Sequence, residues 1–409
     1  MSVLITTEML GEHPKLSSVK TNLDLSSAWI RSGDGLVGFG TYKKLIVTGE
    51  DRFDQARAWW NHQLSEFQIN NNVHGSGTGP LLFASFAFDS TSPSVLVIPE
   101  VIFGQKSGKS WVTWIGDTKQ PNLESINNAS VSGEITWQNA DKGEENWRKQ
   151  VTSVIAAIKD GLVEKVVLAR DLTATSTKEI DARSLLQRLE IEYPSTWLFL
   201  VDGLVGATPE LLVRLSKSLV TSRVLAGTIR KSGNEDRDLA LAASLAKSSK
   251  DLEEHEYAVK SVADGLAPFC SSTNVPESPF VLHLSNVMHL ATDVTGVLNS
   301  SAKQADIFTL VNQLHPSAAV CGTPTGVAKK YITQLEQMDR DRYSGPVGWI
   351  DAQGDGEIAI ALRCGLLSQD RKSIRIFAGC GIVSDSNPEK EFAESQSKLI
   401  PMRTALDTL

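Results

Sequence analysis

Residues 377–398 read F-A-G-C-G-I-V-S-D-S-N-P-E-K-E-F-A-E-S-Q-S-K. The change of pattern halfway along decides how this end of the chain folds. An apolar run with strand character ends in Gly379-Cys380-Gly381, a polar turn follows, and Asn387-Pro388 opens a helix. Asparagine favours the N-cap and proline the first helical position. On that helix Glu391, Glu394 and Lys398 fall at i, i+3 and i+7, which puts them on one face. Taken alone, three such charges belong in water. Here they follow a glycine-rich turn that lets a ligand approach the backbone closely, and the rest of the chain gives them company.

Working outward, strands come in runs and helices come in runs. That pattern predicts an α+β fold with antiparallel sheets, not a regular βαβ alternation. Residues 1–50 read as strands and turns. A helix is predicted over 51–67, with Ala56, Trp59, Trp60 and Leu64 on one side. Strands are expected over 81–88 and 94–103, the second turning at 107–109 into another over 111–115. The polar stretch 117–146 holds the main internal boundary. Trp147, Val151, Val154, Ile155 and Ile158 then follow helical spacing up to Gly161. Strands at 163–173, 196–201, 211–215 and 218–228 precede a long helical region, 236–269, with a break near Ser248-Ser249.

The totals exclude several classes. The chain has 409 residues, 41% hydrophobic and 22% charged, with a formal net charge of -8. The acidic balance argues against a nucleic-acid or anionic-membrane surface. Cys270, Cys321, Cys364 and Cys380 lack C-x-x-C spacing, so neither a zinc site nor a disulfide framework is expected. The start, M-S-V-L-I-T-T-E-M-L, has no basic segment before an apolar core, and no apolar run approaches the roughly 18 residues of a membrane span. A cytoplasmic protein is expected.

Some residues are hard to place as mere surface or core. Lys165 stands in the apolar run V-E-K-V-V-L-A, on the face of Val167 and Ala169. A partly desolvated lysine can act as a base near neutral pH. Glu210 follows G-A-T-P and precedes L-L-V; a raised pKa there would make it a general acid. D-L-E-E-H-E (251–256) is a carboxylate cluster on a helix. Glu254 could join Glu391 and Glu394 in holding a hard cation such as magnesium. Arg363, read as lying in the apolar strand of 358–362, suits bidentate recognition of a substrate acid.

Ten motifs then fall in order: E-K-V-V-L-A-R (164–170), G-A-T-P-E-L-L (206–212), L-A-G-T-I-R (225–230), D-L-E-E-H (251–255), M-H-L (288–290), L-H-P-S-A-A-V-C-G-T-P (314–324), R-Y-S-G-P-V-G-W-I-D (342–351), G-D-G-E-I-A-I-A-L-R (354–363), A-G-C-G-I-V (378–383) and E-F-A-E-S-Q-S-K (391–398). With them the chain resembles the chorismate-utilising enzymes, which include isochorismate, salicylate, anthranilate (component I) and aminodeoxychorismate synthases. The resemblance covers 145–405 as the catalytic region and leaves 1–140 as the variable N-terminal part. It implies a large single unit of two packed antiparallel sheets with outer helices, and a magnesium-dependent chorismate site.

Carried over residue by residue, the resemblance makes Lys165 the base that activates water and Glu210 the acid. Glu254 and Glu394 would hold magnesium, with Glu391 nearby. Arg363 and Lys398 would bind substrate carboxylates, helped by Tyr343 and the backbones of Gly227, Thr228 and Gly379, with His289 close by. Ala226 stands where aminodeoxychorismate synthases often carry a nucleophilic lysine. Lys165 stands where anthranilate synthases have glutamine. Ala319 stands where salicylate synthases have threonine. The resemblance therefore implies water as nucleophile, isochorismate as product, no glutaminase subunit and a monomer. A salicylate synthase, an ammonia-using synthase and a non-catalytic anion-binding protein on the same fold are the alternatives.

Overall fold

The computed structural model describes residues 2–11, 15–116, 121–125, 133–138, 143–299 and 305–407; the side chains of Lys250 and Glu254 also lie outside the described set. Two large sheets lie face to face, one of thirteen strands and one of ten among the described residues. Their facing sides interleave: Trp29, Phe199 and Phe377 from the larger sheet pack with Phe83, Leu211, Val347 and Trp349 from the smaller. The outer faces carry the helices. Leu185 and Leu189 of helix Ala182–Glu192, with Leu399 and Met402 of helix Pro388–Asp407, cover the larger sheet. Ala258 and Val262 of helix Ser249–Leu266, with Phe308 and Val311 of helix Ile307–Leu314, cover the smaller. Each such large apolar side chain taken from water contributes roughly 1.5–3 kcal/mol. The result is helix, sheet, sheet, helix, the predicted α+β architecture. The sheets are antiparallel throughout their described pairings except where strand Val3–Leu10 runs parallel to Phe67–Asn71.

Strands from the first third of the chain complete both sheets. Leu25–Arg31 pairs with Trp197–Val201 in the larger, and Leu81–Ser85 with Pro346–Asp351 in the smaller. The polar stretch at 117–146 also adds strands where it is described: Ile135–Gln138 pairs with the far end of Lys165–Ser176. Its residues 117–120, 126–132 and 139–142 lie outside the described residues.

One expected strand is two. The run 94–103 splits into Ser94–Ile98, in the smaller sheet, and Val101–Lys106, in the larger. Pro99 has no N–H to continue a ladder, and the Glu100 N–H turns to the Phe39 carbonyl at 3.0 Å. The helical region breaks where the paired serines predict. Glu235–Lys247 ends and Ser249–Leu266 begins at Ser248, whose hydroxyl accepts the Asp251 N–H at 3.3 Å. The C-terminal helix opens as read, with the Asn387 side chain accepting the Glu389 and Lys390 N–H groups at 3.0 and 3.1 Å. No helix among the described residues is long and apolar enough to cross a membrane.

Candidate active site

A cavity of about 310 Å³ opens where the two sheets meet the start of the C-terminal helix. That is enough for a small metabolite. Lys165, Glu210, Gly227, Thr228, His289, Ala319, Tyr343, Arg363, Gly379, Glu391, Glu394 and Lys398 all line it. These residues come from separate stretches of sequence, brought together by the sheet pairing. Glu254 lies on helix Ser249–Leu266, but its side chain is outside the described residues.

Alternation places Lys165. It is the first residue of strand Lys165–Ser176, paired with Thr323. Lys165 and Val167 face the cavity, while Val166 and Leu168 point into the helix-side core. Glu210 sits between strands Leu204–Thr208 and Leu211–Ser216, with 7% of its surface exposed. Burial pushes its carboxyl up to about 7, and Arg363, Lys165 and Lys398 only partly offset that. The cavity thus holds an amine and a carboxyl group able to keep its proton near neutrality.

A bulge aims the next wall. In strand Leu219–Arg230 the register to Val287–Leu298 slips between Ala226 and Thr228, leaving Gly227 unpaired at φ +75°. Glycine tolerates that conformation. An added Cβ would also lie 3.1 Å from the Asp251 side chain. Thr228 Oγ1 lies 2.9 Å from His289 Nδ1. Burial, then the Arg363 and Lys398 charges, push His289 down to about 3, so its imidazole is neutral. Its Nε2 is buried and has no hydrogen-bond partner among the described residues.

Arg363 differs from the expectation. The strand is Gly356–Ile360, and Arg363 lies beyond it at φ +49°. The ladder ends because the Leu362 N–H turns back to the Ile360 carbonyl at 2.8 Å. Arg363 therefore stands on the crossing between the sheets, just before strand Cys364–Leu367 of the larger one.

The stretch 377–398 forms the floor. Lys398 Nζ donates to the Gly379 carbonyl at 2.8 Å and pairs with Glu394 at 2.6 Å. Burial works against the ammonium, yet the Glu394 carboxylate, by charge and hydrogen bond, together with the Cys380 sulfur holds Lys398 above its ordinary value. Glu394 is held below its own: burial opposes this, and Lys398, by charge and hydrogen bond, with Arg363 outweighs it. Gly379 leaves room, since a Cβ there would lie 3.0 Å from both Tyr343 Oη and the Leu168 carbonyl. Tyr343 is kept in place by stacking on Phe377, centroids 4.9 Å apart and planes 7° from parallel. Glu391, Glu394 and the Cys380 sulfur offer ligand atoms within 4.8 Å of one another. Burial pushes the Cys380 thiol far up, so it stays protonated. The two carboxylates are then the useful donors, and they suit a hard, oxygen-seeking cation.

Arg340, Ser344, Asp251 and Lys390 also line the cavity and do not stand out as site residues in the sequence. Asp251 is visible there only as one member of an acidic helix cluster. Arg340 falls in the charged run D-R-D-R, which reads as surface although the side chain is buried.

A family model described as chorismate binding enzyme matches residues 29–407. Isochorismate synthase MenF of Bacillus subtilis is 31% identical over 399 residues, covering 90% of this chain and 83% of the relative. Isochorismate synthase EntC of Escherichia coli K12 is 34% identical over 328 residues, covering 79% of this chain and 80% of the relative. Among solved structures, the menaquinone-specific isochorismate synthase MenF of Escherichia coli superposes with a TM-score of 0.81 at 21% identity, over 99% of this chain and 95% of that one. Anthranilate synthase component I of Streptococcus pneumoniae gives 0.68 at 20% identity, over 95% and 93%. These two show the shared fold.

Proposed function

This chain belongs to the chorismate-binding enzymes, and on that premise we propose that it is an isochorismate synthase, an isomerase that converts chorismate to isochorismate. The observation that carries the reading is the pairing of Glu210, held near pH 7, with Lys165 across one cavity. Lys165 takes a proton from water as the oxygen bonds to C2 of the ring. The double bond shifts, the C4 hydroxyl departs, and Glu210 gives it a proton so that it leaves as water. One water enters and one leaves, so the step is an isomerisation.

Arg363 and Lys398 are suited to the substrate's two carboxylates, with the Gly379 and Gly227 backbones close to it and His289 Nε2, on a neutral imidazole, available for a hydrogen bond. Glu391 and Glu394 fit magnesium, with Glu254 as the further carboxylate from helix Ser249–Leu266. When bound there, the ion neutralises the charge on the ring carboxylate. Ala319 leaves that wall small, in keeping with a reaction that stops at isochorismate. On this reading the chain works in the cytoplasm, as a monomer and without a glutaminase subunit, and its product feeds menaquinone or siderophore biosynthesis.

The test is incubation of the purified protein with chorismate and magnesium, followed by separation of the products. Isochorismate alone supports the proposal. Salicylate with pyruvate would make the chain a salicylate synthase, ammonia-dependent anthranilate or aminodeoxychorismate would move it to those branches, and absence of turnover would refute it.

A further inference from the structure

Strand Lys165–Ser176 carries the proposed base at its first residue, yet one of its edges is short of a partner. Ser373–Ile382 pairs with the whole of one side, from Val166 to Thr175. On the other side, strand Gly322–Thr323 pairs with Lys165 and Val166, the Cys321 carbonyl takes the Val167 N–H at 2.9 Å, and Ile135–Gln138 pairs from Thr173 onward. Between these, among the described residues, no strand reaches the edge. An unpaired buried C=O or N–H is costly.

Two side chains, one on each side of the short link that follows helix Thr325–Leu335, take the place of the missing strand. Arg340 Nη2 donates to the Val167 carbonyl at 2.7 Å, and Glu336 Oε1 accepts the Ala169 N–H at 2.7 Å. Arg340 Nε donates to Glu336 at 2.8 Å, and both side chains are buried, at 4% and 2% exposure. The same guanidinium reaches two more walls of the cavity: Nη1 donates to the Val320 carbonyl at 2.9 Å, next to Ala319, and to Ser344 Oγ at 3.3 Å, next to Tyr343. One planar fork therefore fixes the distance between the Lys165 strand, the Ala319 loop and the Tyr343 turn. A lysine ammonium, a point donor on a flexible stem, cannot reproduce that geometry.

We infer that the Glu336–Arg340 pair is a positioning unit for the reaction, setting where Lys165 stands relative to the opposite walls and hence to water and ring. It carries no proton and needs no contact with substrate. The inference rests on the isochorismate synthase reading. Turnover of chorismate by the unaltered protein tests that reading first and separately, and the variants test the positioning.

In Arg340→Lys, which keeps the charge pair with Glu336, we expect kcat to fall about a hundredfold, the scale of a small misplacement of reacting groups. KM for chorismate should change less than about threefold, because Arg363 and Lys398 are untouched. Adding guanidinium ion at low millimolar concentration to Arg340→Ala should recover part of kcat, which loss of fold would not allow. Glu336→Gln, which keeps an oxygen for the Ala169 N–H, should show the same split. A folded Arg340→Lys with unchanged kcat would overturn the inference, as would a rise in KM with kcat preserved. Unfolding of both Arg340→Lys and Glu336→Gln would make the pair a folding element only and overturn it equally.

Discussion

Replacing Glu210 with glutamine separates the two things its environment does. The side chain keeps its size but loses its proton chemistry. In the folded protein burial raises the carboxyl from 4.5 to about 7; in the unfolded chain it returns to the ordinary value. Between those limits the folded state holds more protons than the unfolded one, so the free energy of unfolding falls as pH rises and the loss is complete above about pH 7. At 1.36 kcal/mol per pKa unit, the part of this loss lying between pH 5 and pH 8 is about 2.5 kcal/mol.

Glutamine has no such dependence. Its fixed costs, including an amide that must find partners, cancel when one pH is compared with another. With an unfolding entropy of roughly 2.1 cal/mol/K per residue over 409 residues, 2.5 kcal/mol corresponds to about 3 °C. The melting temperature of Glu210→Gln, measured relative to the unaltered protein, should therefore be about 3 °C higher at pH 8 than at pH 5. The same group should set the alkaline limb of activity: kcat/KM should fall about tenfold per pH unit above pH 7 as the acid form is lost. Below pH 7 the variant should lose about 10²–10⁴-fold in kcat, and the gap to the unaltered protein should narrow as pH rises above 7. If the melting difference is the same at pH 5 and pH 8, or if kcat/KM is flat from pH 6 to pH 9, burial does not hold this carboxyl protonated and its assignment as the acid fails.

Lys165→Ala should remove water addition, by about 10²–10⁴-fold in kcat, while calorimetry still detects chorismate binding; near-normal turnover would end its assignment as base. Glu394→Gln should raise the magnesium concentration needed for half-maximal activity by about tenfold or more, the scale of lost support at a metal site. Glu254→Gln should do the same, and an unchanged magnesium titration would remove either residue from the metal shell. Gly379→Ala should raise KM for chorismate severalfold, because the new methyl group must displace Tyr343 Oη or the Leu168 carbonyl, each 3.0 Å away; steady-state kinetics at fixed magnesium decide it.

Local chemistry makes the C-terminal helix readable from the sequence alone. Asn387 and Pro388 mark its start, and the spacing of Glu391, Glu394 and Lys398 puts them on one face. The fold class is legible for a related reason, since runs of strands and runs of helices constrain layering. Arg363 shows where such reading stops. The apolar run of 358–362 predicts a strand that carries it, but the chain leaves the ladder at Ile360 and crosses to the other sheet, so Arg363 takes a left-handed conformation. No local signal marks that crossing, because it is set by which strands neighbour one another in two sheets.

Arg340 lies further out of reach for the same reason. In sequence, D-R-D-R is a charged run, and charges belong in water. In the structure Arg340 is drawn inside because, among the described residues, no strand pairs with the edge between Val167 and Ala169, and Glu336 stands four residues earlier, ready to balance the charge. The need for that arginine is created by backbone groups about 170 residues away in the chain. The helix floor can thus be read from spacing alone, whereas the clamp beneath the proposed base emerges only where the sheet's own hydrogen bonding runs out.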